Sequence, residues 1–275
     1  MKKYSSRGLL DLSFPGTLTA FLESEQSADD SSRLKIEGLD YYGERDPAGE
    51  TGGDFFDFVP LKEQRLLVSI GDVSRRGSGP SNILSRLRAF LRKLSMRESG
   101  DLPELVEGLN RSICDLSTDN FYATLFYVRI DPVPRQLRYV SAGHEPGLLF
   151  HRRSKRLRRL ERTGTVLGLT ARANYAQRTI SLEPGDTLVA FTDGITEATD
   201  SGGREFREYG VRGVLEAYPD ASARELSQRI LEAVAGFRQK SEATDDRTVV
   251  VVRLLDATVV RPVAEQAEEL AVAAA

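Results

Sequence analysis

The chain has 275 residues, 40% of them hydrophobic and 29% charged, with a formal net charge of −3. These values describe an ordinary globular chain of one large or two small domains and exclude a disordered or membrane-spanning one. They also give no global field that would direct it to nucleic acid or to a membrane surface. Met1-Lys2-Lys3 is basic, but Asp11 interrupts the apolar run that a signal peptide requires, and no stretch reaches the roughly 18 apolar residues of a membrane span. The expectation is a cytoplasmic protein. One cysteine, Cys114, excludes an internal disulfide and a cysteine-rich zinc site, and the two histidines, His144 and His151, are too few for a histidine-based metal site.

Residues 1–34 are poor in apolar periodicity. They carry a short helical pattern at 15–24 and a solvated linker from Ser27 to Arg33, so they read as an N-terminal extension. The domain proper is predicted over 35–256. Its first strands are 34–43, 54–59 and 66–72, the last two joined by a polar connection from Pro60 to Arg65. A helix at about 79–95 follows, with Ile83, Leu84, Leu87, Phe90, Leu91 and Leu94 at helical spacing and Pro80 in its first turn. A second helix begins after Asp101 and places Leu102, Leu105, Val106, Leu109, Ile113 and Leu116 on one face. Six strands come next, at 121–130, 136–142, 146–151, 156–161, 176–182 and 186–192, with Pro132 and Pro134 turning the first into the second. Helices at 208–217 and 222–237 follow, the latter opened by the capping box Ser222-Ala223-Arg224-Glu225, and a last strand runs from Thr248 to Leu255. Residues 257–275 form an alanine-rich tail. Runs of strands broken by pairs of helices are not the alternation of a parallel sheet. They predict an α+β fold, an α-β-β-α sandwich of two antiparallel sheets flanked by helix pairs.

Four aspartates stand at strand starts or ends beside glycine or another acid: Asp54, Asp72, Asp193 and Asp245. If residue 63 is the pivot of the 54–72 hairpin, Asp54 faces Asp72, and like charges across a strand pair repel. Asp72 also shares strand parity with Val68 and Ile70, Asp193 with Val189 and Phe191, and Asp245 with Val249 and Val251. A buried unpaired carboxylate costs several kcal/mol or takes up a proton, and a bound dication removes both penalties. Any one of these aspartates alone reads as a turn former. The four together favour a site for hard divalent cations.

Gly52-Gly53-Asp54-Phe55-Phe56-Asp57, with Pro47-Ala48-Gly49-Glu50-Thr51 before it, resembles the opening motif of the PPM-type metal-dependent protein serine/threonine phosphatases, in their bacterial SpoIIE-like branch. Gly71-Asp72-Val73-Ser74, Tyr122-Ala123-Thr124-Leu125-Phe126, Ser141-Ala142-Gly143-His144-Glu145-Pro146 and Leu167-Gly168-Leu169 are similar to later blocks of that family. So are Phe191-Thr192-Asp193-Gly194-Ile195-Thr196-Glu197-Ala198 and Asp245-Asp246-Arg247-Thr248. The blocks keep the family's order over roughly residues 35–255. The resemblance implies two ions, Mn2+ or Mg2+. Asp72 would bridge them, the Val73 carbonyl would add a ligand, Asp193 and Asp245 would hold one ion, and Asp54 would bind the other directly or through water. It implies metal-activated water attacking a phosphoserine or phosphothreonine. The substrate would be a phosphorylated regulatory protein, such as an anti-anti-sigma-like one in partner switching, with helices 79–95 and 102–116 as a regulatory pair and any sensor a separate protein.

The match departs at Arg75-Arg76, where the family has glycine followed by histidine or lysine. The pair reads evenly as substrate-facing charge or as solvated loop. His144 reads as structural within its turn rather than as a general acid, and Cys114 as a small core residue. Six Lys or Arg between His151 and Arg159 read as an exposed hairpin tip rather than a nucleic-acid grip. Two alternatives stay open: a catalytically weak partner-binding module of the same fold, and a metal-dependent phosphodiesterase or nuclease using the same acids.

Overall fold

The computed structural model describes residues 36–49, 52–74, 87–88, 90–91, 101–116, 122–238 and 245–256. The expectations for residues 1–34, for most of helix 79–95, for the Arg75-Arg76 loop and for the tail at 257–275 lie outside these. Among the described residues there are ten strands: β1 (Leu39–Asp46), β2 (Asp54–Leu61), β3 (Arg65–Asp72), β4 (Leu125–Asp131), β5 (Gln136–Ala142), β6 (Gly147–His151), β7 (Arg156–Leu160), β8 (Arg178–Ser181), β9 (Thr187–Phe191) and β10 (Arg247–Leu254). They make two five-stranded antiparallel sheets, ordered β1-β10-β9-β6-β7 and β2-β3-β4-β5-β8. Helices are α1 (Leu102–Leu116), the single turn α2 (Asp193–Thr196), α3 (Arg207–Ala217) and α4 (Ala223–Arg238). No helix among the described residues is long and apolar enough to cross a membrane.

The layers follow from strand parity. Val250 and Val252 of β10 join Leu188 and Ala190 of β9, Phe56 and Phe58 of β2, and Val68 and Ile70 of β3 in the core between the sheets. Val249 and Val251 point the other way and pack with Val189 and Phe191 against Leu226, Ile230 and Val234 of α4. Both faces of β10 are therefore covered, which is why it is an unbroken valine run rather than an alternating one. The fourfold spacing of Leu226, Ile230 and Val234 places them on one stripe of α4, each at most 1% exposed. Each such burial contributes about 1.5–3 kcal/mol. On the second sheet, Leu102, Val106, Leu109 and Ile113 of α1 cover Leu125, Tyr127, Val140 and Ala142, joined by the helical residues Leu87 and Leu91.

Helix α4 starts where its sequence said it would. The Glu225 amide donates to Ser222 Oγ and the Ser222 amide to Glu225 Oε2, and Asp40 Oδ2 takes the Ala223 N–H from outside the helix. Several boundaries differ from expectation, the first being β1, which runs from Leu39 to Asp46 rather than over 34–43. Strand β2 runs through Pro60 to Leu61, since an edge strand tolerates a residue without an N–H. The turn is therefore only Lys62–Gln64, with Glu63 and Gln64 both left-handed at φ 57° and 55°. Strand β4 begins at Leu125 rather than 121, because Ala123 is taken by single bridges to Val73 on one side and Leu167 on the other. The helical turn at Asp193 was not foreseen.

Candidate functional site

The β2–β3 hairpin pairs Asp54 directly with Asp72, as a pivot at residue 63 requires. Asp54 is 2% exposed. Its Oδ2 accepts two hydroxyl hydrogen bonds, from Thr192 Oγ1 and from Thr248 Oγ1, each 2.7 Å long. Thr192 stands immediately before Asp193 and Thr248 three residues after Asp245. Asp54 lies on one sheet and the two threonine segments extend strands of the other, so one carboxylate ties the sheets together at this end. The threonines are themselves locked: the Thr248 amide donates to Thr192 Oγ1 at 3.0 Å and the Thr192 amide to the Thr248 carbonyl at 3.1 Å. Burial pushes the Asp54 carboxyl up to about 7, and the charges of Asp72 and Asp246 push the same way against the pull of the two hydroxyls.

Asp72 and Val73 converge on Gly53. A Cβ at Gly53 would stand 2.3 Å from Asp72 Oδ1 and 2.5 Å from the Val73 carbonyl oxygen. Only glycine lets these two oxygens share that space, which accounts for the glycine before Asp54. The Val73 amide donates to the Gly53 carbonyl at 3.1 Å, holding the crossing in place. Behind it, Thr124 Oγ1 accepts from the Asp72 amide at 3.0 Å and meets His144 Nδ1 at 2.9 Å. Burial pushes His144 down to about 3, so the ring is neutral.

Asp193 opens α2 instead of ending β9. Burial raises its carboxyl, and the Asp245 charge raises it further. A Cβ on Gly194 would meet the Asp246 carbonyl oxygen at 2.0 Å, so the Asp-Gly pair allows the 193 and 245 segments to touch. Asp245 is exposed and Asp246 is 1% exposed. Asp246 Oδ1 accepts the Ala48 amide at 2.9 Å, tethering the segment that leads into Gly52. The two adjacent acids thus divide: the outer one faces Asp193 and the inner one holds the chain. Glu145 and Glu197 also bear on this corner. The Glu145 charge acts on Asp193, and burial followed by Asp193 and Glu145 raises the Glu197 carboxyl.

The four aspartates do not continue one common face of their strands. Asp54 and Asp72 continue the inter-sheet faces of β2 and β3, but Val189, Phe191, Val249 and Val251 face the helices. At this end of β9 and β10 the side chains on the inter-sheet face are those of Thr192 and Thr248, in line with Leu188, Ala190, Val250 and Val252. Asp193 and Asp245 lie just beyond the strands and reach the site from outside. Thr192, Thr248, Thr124 and Asp246 were missed, although the parity of Leu188, Ala190, Val250 and Val252 pointed to both of the first two. Among the described residues no three Asp, Glu, His or Cys side chains are drawn together tightly enough to grip an ion as they stand. The donor set nevertheless fits a hard dication: carboxylates and one main-chain carbonyl, all oxygen, with two carboxyls raised by burial and like charge and a glycine cradle that no side chain could enter.

A family model described as Stage II sporulation protein E (SpoIIE) matches residues 62–255. Phosphoserine phosphatase RsbU of Bacillus subtilis (strain 168) is 31% identical over 219 residues, covering 79% of this chain and 64% of RsbU. The RsbU and RsbW domains of Rv1364c from Mycobacterium tuberculosis superpose with a TM-score of 0.68 at 25% identity, covering 82% of this chain and 62% of that one. The chain therefore spans less than two thirds of either relative. The catalytic domain of the serine threonine protein phosphatase PstP, in complex with two manganese ions, shares the fold with a TM-score of 0.58 at 16% identity, covering 79% of this chain and 99% of that one.

Proposed function

The chain belongs to the Stage II sporulation protein E family, the SpoIIE-like branch of the PPM-type phosphatases, and from that membership we propose that it hydrolyses phosphoserine or phosphothreonine on a regulatory protein with Mn2+ or Mg2+ as cofactor. One observation carries this reading. Two threonine hydroxyls bind Asp54 across the gap between the sheets and thereby bring the Asp193 and Asp245 segments to the Asp54–Asp72 pair. The ligands would be Asp72, the Val73 carbonyl, Asp193 and Asp245, with Asp54 contributing its remaining oxygen directly or through water. Bound there, the ions supply an activated water and neutralise charge on the phosphoryl oxygens.

The chain's own part is positioning. Thr124 and His144 fix the Asp72 main chain from behind. The two threonines hold Asp54 so that one oxygen stays committed to the protein. Gly53 leaves the Asp72 carboxylate and the Val73 carbonyl room to face the same point. His144, buried and neutral, acts in this reading as a support behind Asp72. The name of RsbU, a phosphoserine phosphatase, supports the substrate class. An anti-anti-sigma-like substrate in partner switching, a separate sensor protein and a cytoplasmic location belong to the same reading, as does a phosphatase domain spanning 35–256.

The test is Mn2+-dependent turnover of p-nitrophenyl phosphate and of a phosphoserine peptide. Wild type turns over both, and Asp72→Asn and Asp193→Asn lose at least a hundredfold on each. Equal rates in wild type and both variants with metal present end the phosphatase reading. Cleavage of a phosphodiester or nucleic acid, lost in the same variants, replaces it with the diesterase one.

A further inference from the structure

Strand β7 carries charge that the candidate centre does not use. Among the described residues it is the last strand of its sheet and pairs only with β6. Arg156 and Arg158 share the face of Leu160, which lies in the inter-sheet core, so they line the open seam between the sheets. On the facing edge strand β8, Arg178 shares the face of Ile180 and pairs opposite Tyr139. The charges of Arg178 and Arg158 both bear on Tyr139, which brings the two edges together. Arg153 and Lys155 stand exposed in the β6–β7 turn. Among the described residues none of these five cations is paired with a carboxylate, whereas Arg152, Arg159 and Arg162 pair with Asp220, Glu208 and Glu145.

A few charges on an edge strand guard against edge-to-edge association. Here the strand also leads somewhere. Past Leu160 the chain reaches Arg162, whose guanidinium donates to the His144 carbonyl and to Glu145 Oε1, each at 3.0 Å. Glu145 in turn acts on Asp193. The free edge thus runs from a basic tip to the rim of the candidate centre over six residues, about 20 Å of extended chain.

We propose that this edge is the docking track for an acidic, extended segment of the phosphoprotein substrate, which joins β7 as an added strand while its carboxylates meet Arg156, Arg158 and Arg178. The inference rests on the phosphatase reading above. It names the substrate class: a phosphate monoester on serine or threonine with acidic residues about four to eight positions away.

The probes are a fluorescein-labelled phosphoserine peptide with such an acidic cluster, its alanine counterpart and the unphosphorylated acidic peptide. Binding is read by anisotropy and turnover by phosphate release. Wild type binds both acidic peptides at least tenfold tighter than the alanine one, and 0.5 M NaCl abolishes the difference. The triple change Arg156→Glu, Arg158→Glu, Arg178→Glu also abolishes it and leaves turnover of p-nitrophenyl phosphate within twofold. The triple glutamine version, checked by circular dichroism, gives the same direction if reversal disturbs the edge. No acidic preference in wild type, or a preference kept in both variants, overturns the proposal and leaves the cations as guards of a sheet edge. Absence of p-nitrophenyl phosphate turnover in wild type sinks the phosphatase reading instead, while the binding data still decide the track.

Discussion

Replacing Gly53 with alanine adds one methyl group where the Asp72 carboxylate and the Val73 carbonyl meet. The added carbon would stand 2.3 Å from one oxygen and 2.5 Å from the other. Ordinary carbon–oxygen contact begins at roughly 3.2 Å, so each oxygen must retreat by about 0.7–0.9 Å or the β2–β3 crossing must open. Metal–ligand distances tolerate only about 0.2 Å. Two proposed ligands are thus displaced several times beyond tolerance by a change that alters no charge. The expected loss of Mn2+ affinity is a hundredfold or more, above the 10–100-fold typical of perturbed supporting groups. Overpacking also destabilises the fold by about 1–3 kcal/mol. Titration calorimetry with Mn2+ gives the affinity, p-nitrophenyl phosphate turnover the activity and guanidinium unfolding the stability. A folded Gly53→Ala protein that binds Mn2+ within threefold of wild type would falsify the placement of Asp72 and Val73 as ligands.

Gly213 in α3 and Gly236 in α4 offer the opposite case, because nothing lies within 4 Å of a Cβ at either. Alanine at each raises stability by about 0.5–1 kcal/mol in urea unfolding, and a loss would show a helical environment other than the one described. Thr248→Val and Thr192→Val each remove a 2.7 Å hydrogen bond to a buried carboxylate and cost about 1.5–3 kcal/mol. The double variant costs less than the sum, since both hydroxyls serve the same oxygen; strict additivity in a double-mutant cycle refutes the shared clasp. Asp54 has a folded pKa raised from 3.8 to about 7. Its contribution is therefore fully present below pH 3.8 and is lost as pH rises to 7, by about 4 kcal/mol at about 1.4 kcal/mol per unit. In EDTA, wild type falls in melting temperature relative to Asp54→Asn between pH 4 and pH 7, and Mn2+ narrows the gap. A gap that shrinks with rising pH in EDTA contradicts the burial argument.

The hairpin register of Asp54 and Asp72 was legible because a strand pair has one pivot and residue 63 sits midway. The capping box at Ser222 and the valine run of β10 were legible for the same reason, each being a local pattern with a single geometric meaning. Thr192 and Thr248 were not weighed, because hydroxyl residues beside aspartate read as turn residues until the sheets are stacked. The role of Asp246 was hidden by its neighbour: two adjacent acids are interchangeable in sequence, and only burial separates the one that tethers Ala48 from the one that faces Asp193. Strand parity misled where it was carried past the strand. Asp193 begins a helical turn, and alternation ends at Phe191.

Strand β10 lies between β1 and β9, although it comes last in sequence among the described strands. The two hydroxyl bonds on Asp54 span 138 and 194 residues of sequence. A ribosome that has released everything up to α4 has produced all the candidate ligands except Asp245, yet neither the sheet that needs β10 nor the full clasp on Asp54 can exist. Closure waits for the final strand to slide between two that are already exposed, a step with high loop-closure entropy. The clasp is completed in one event, when Thr248 reaches Asp54.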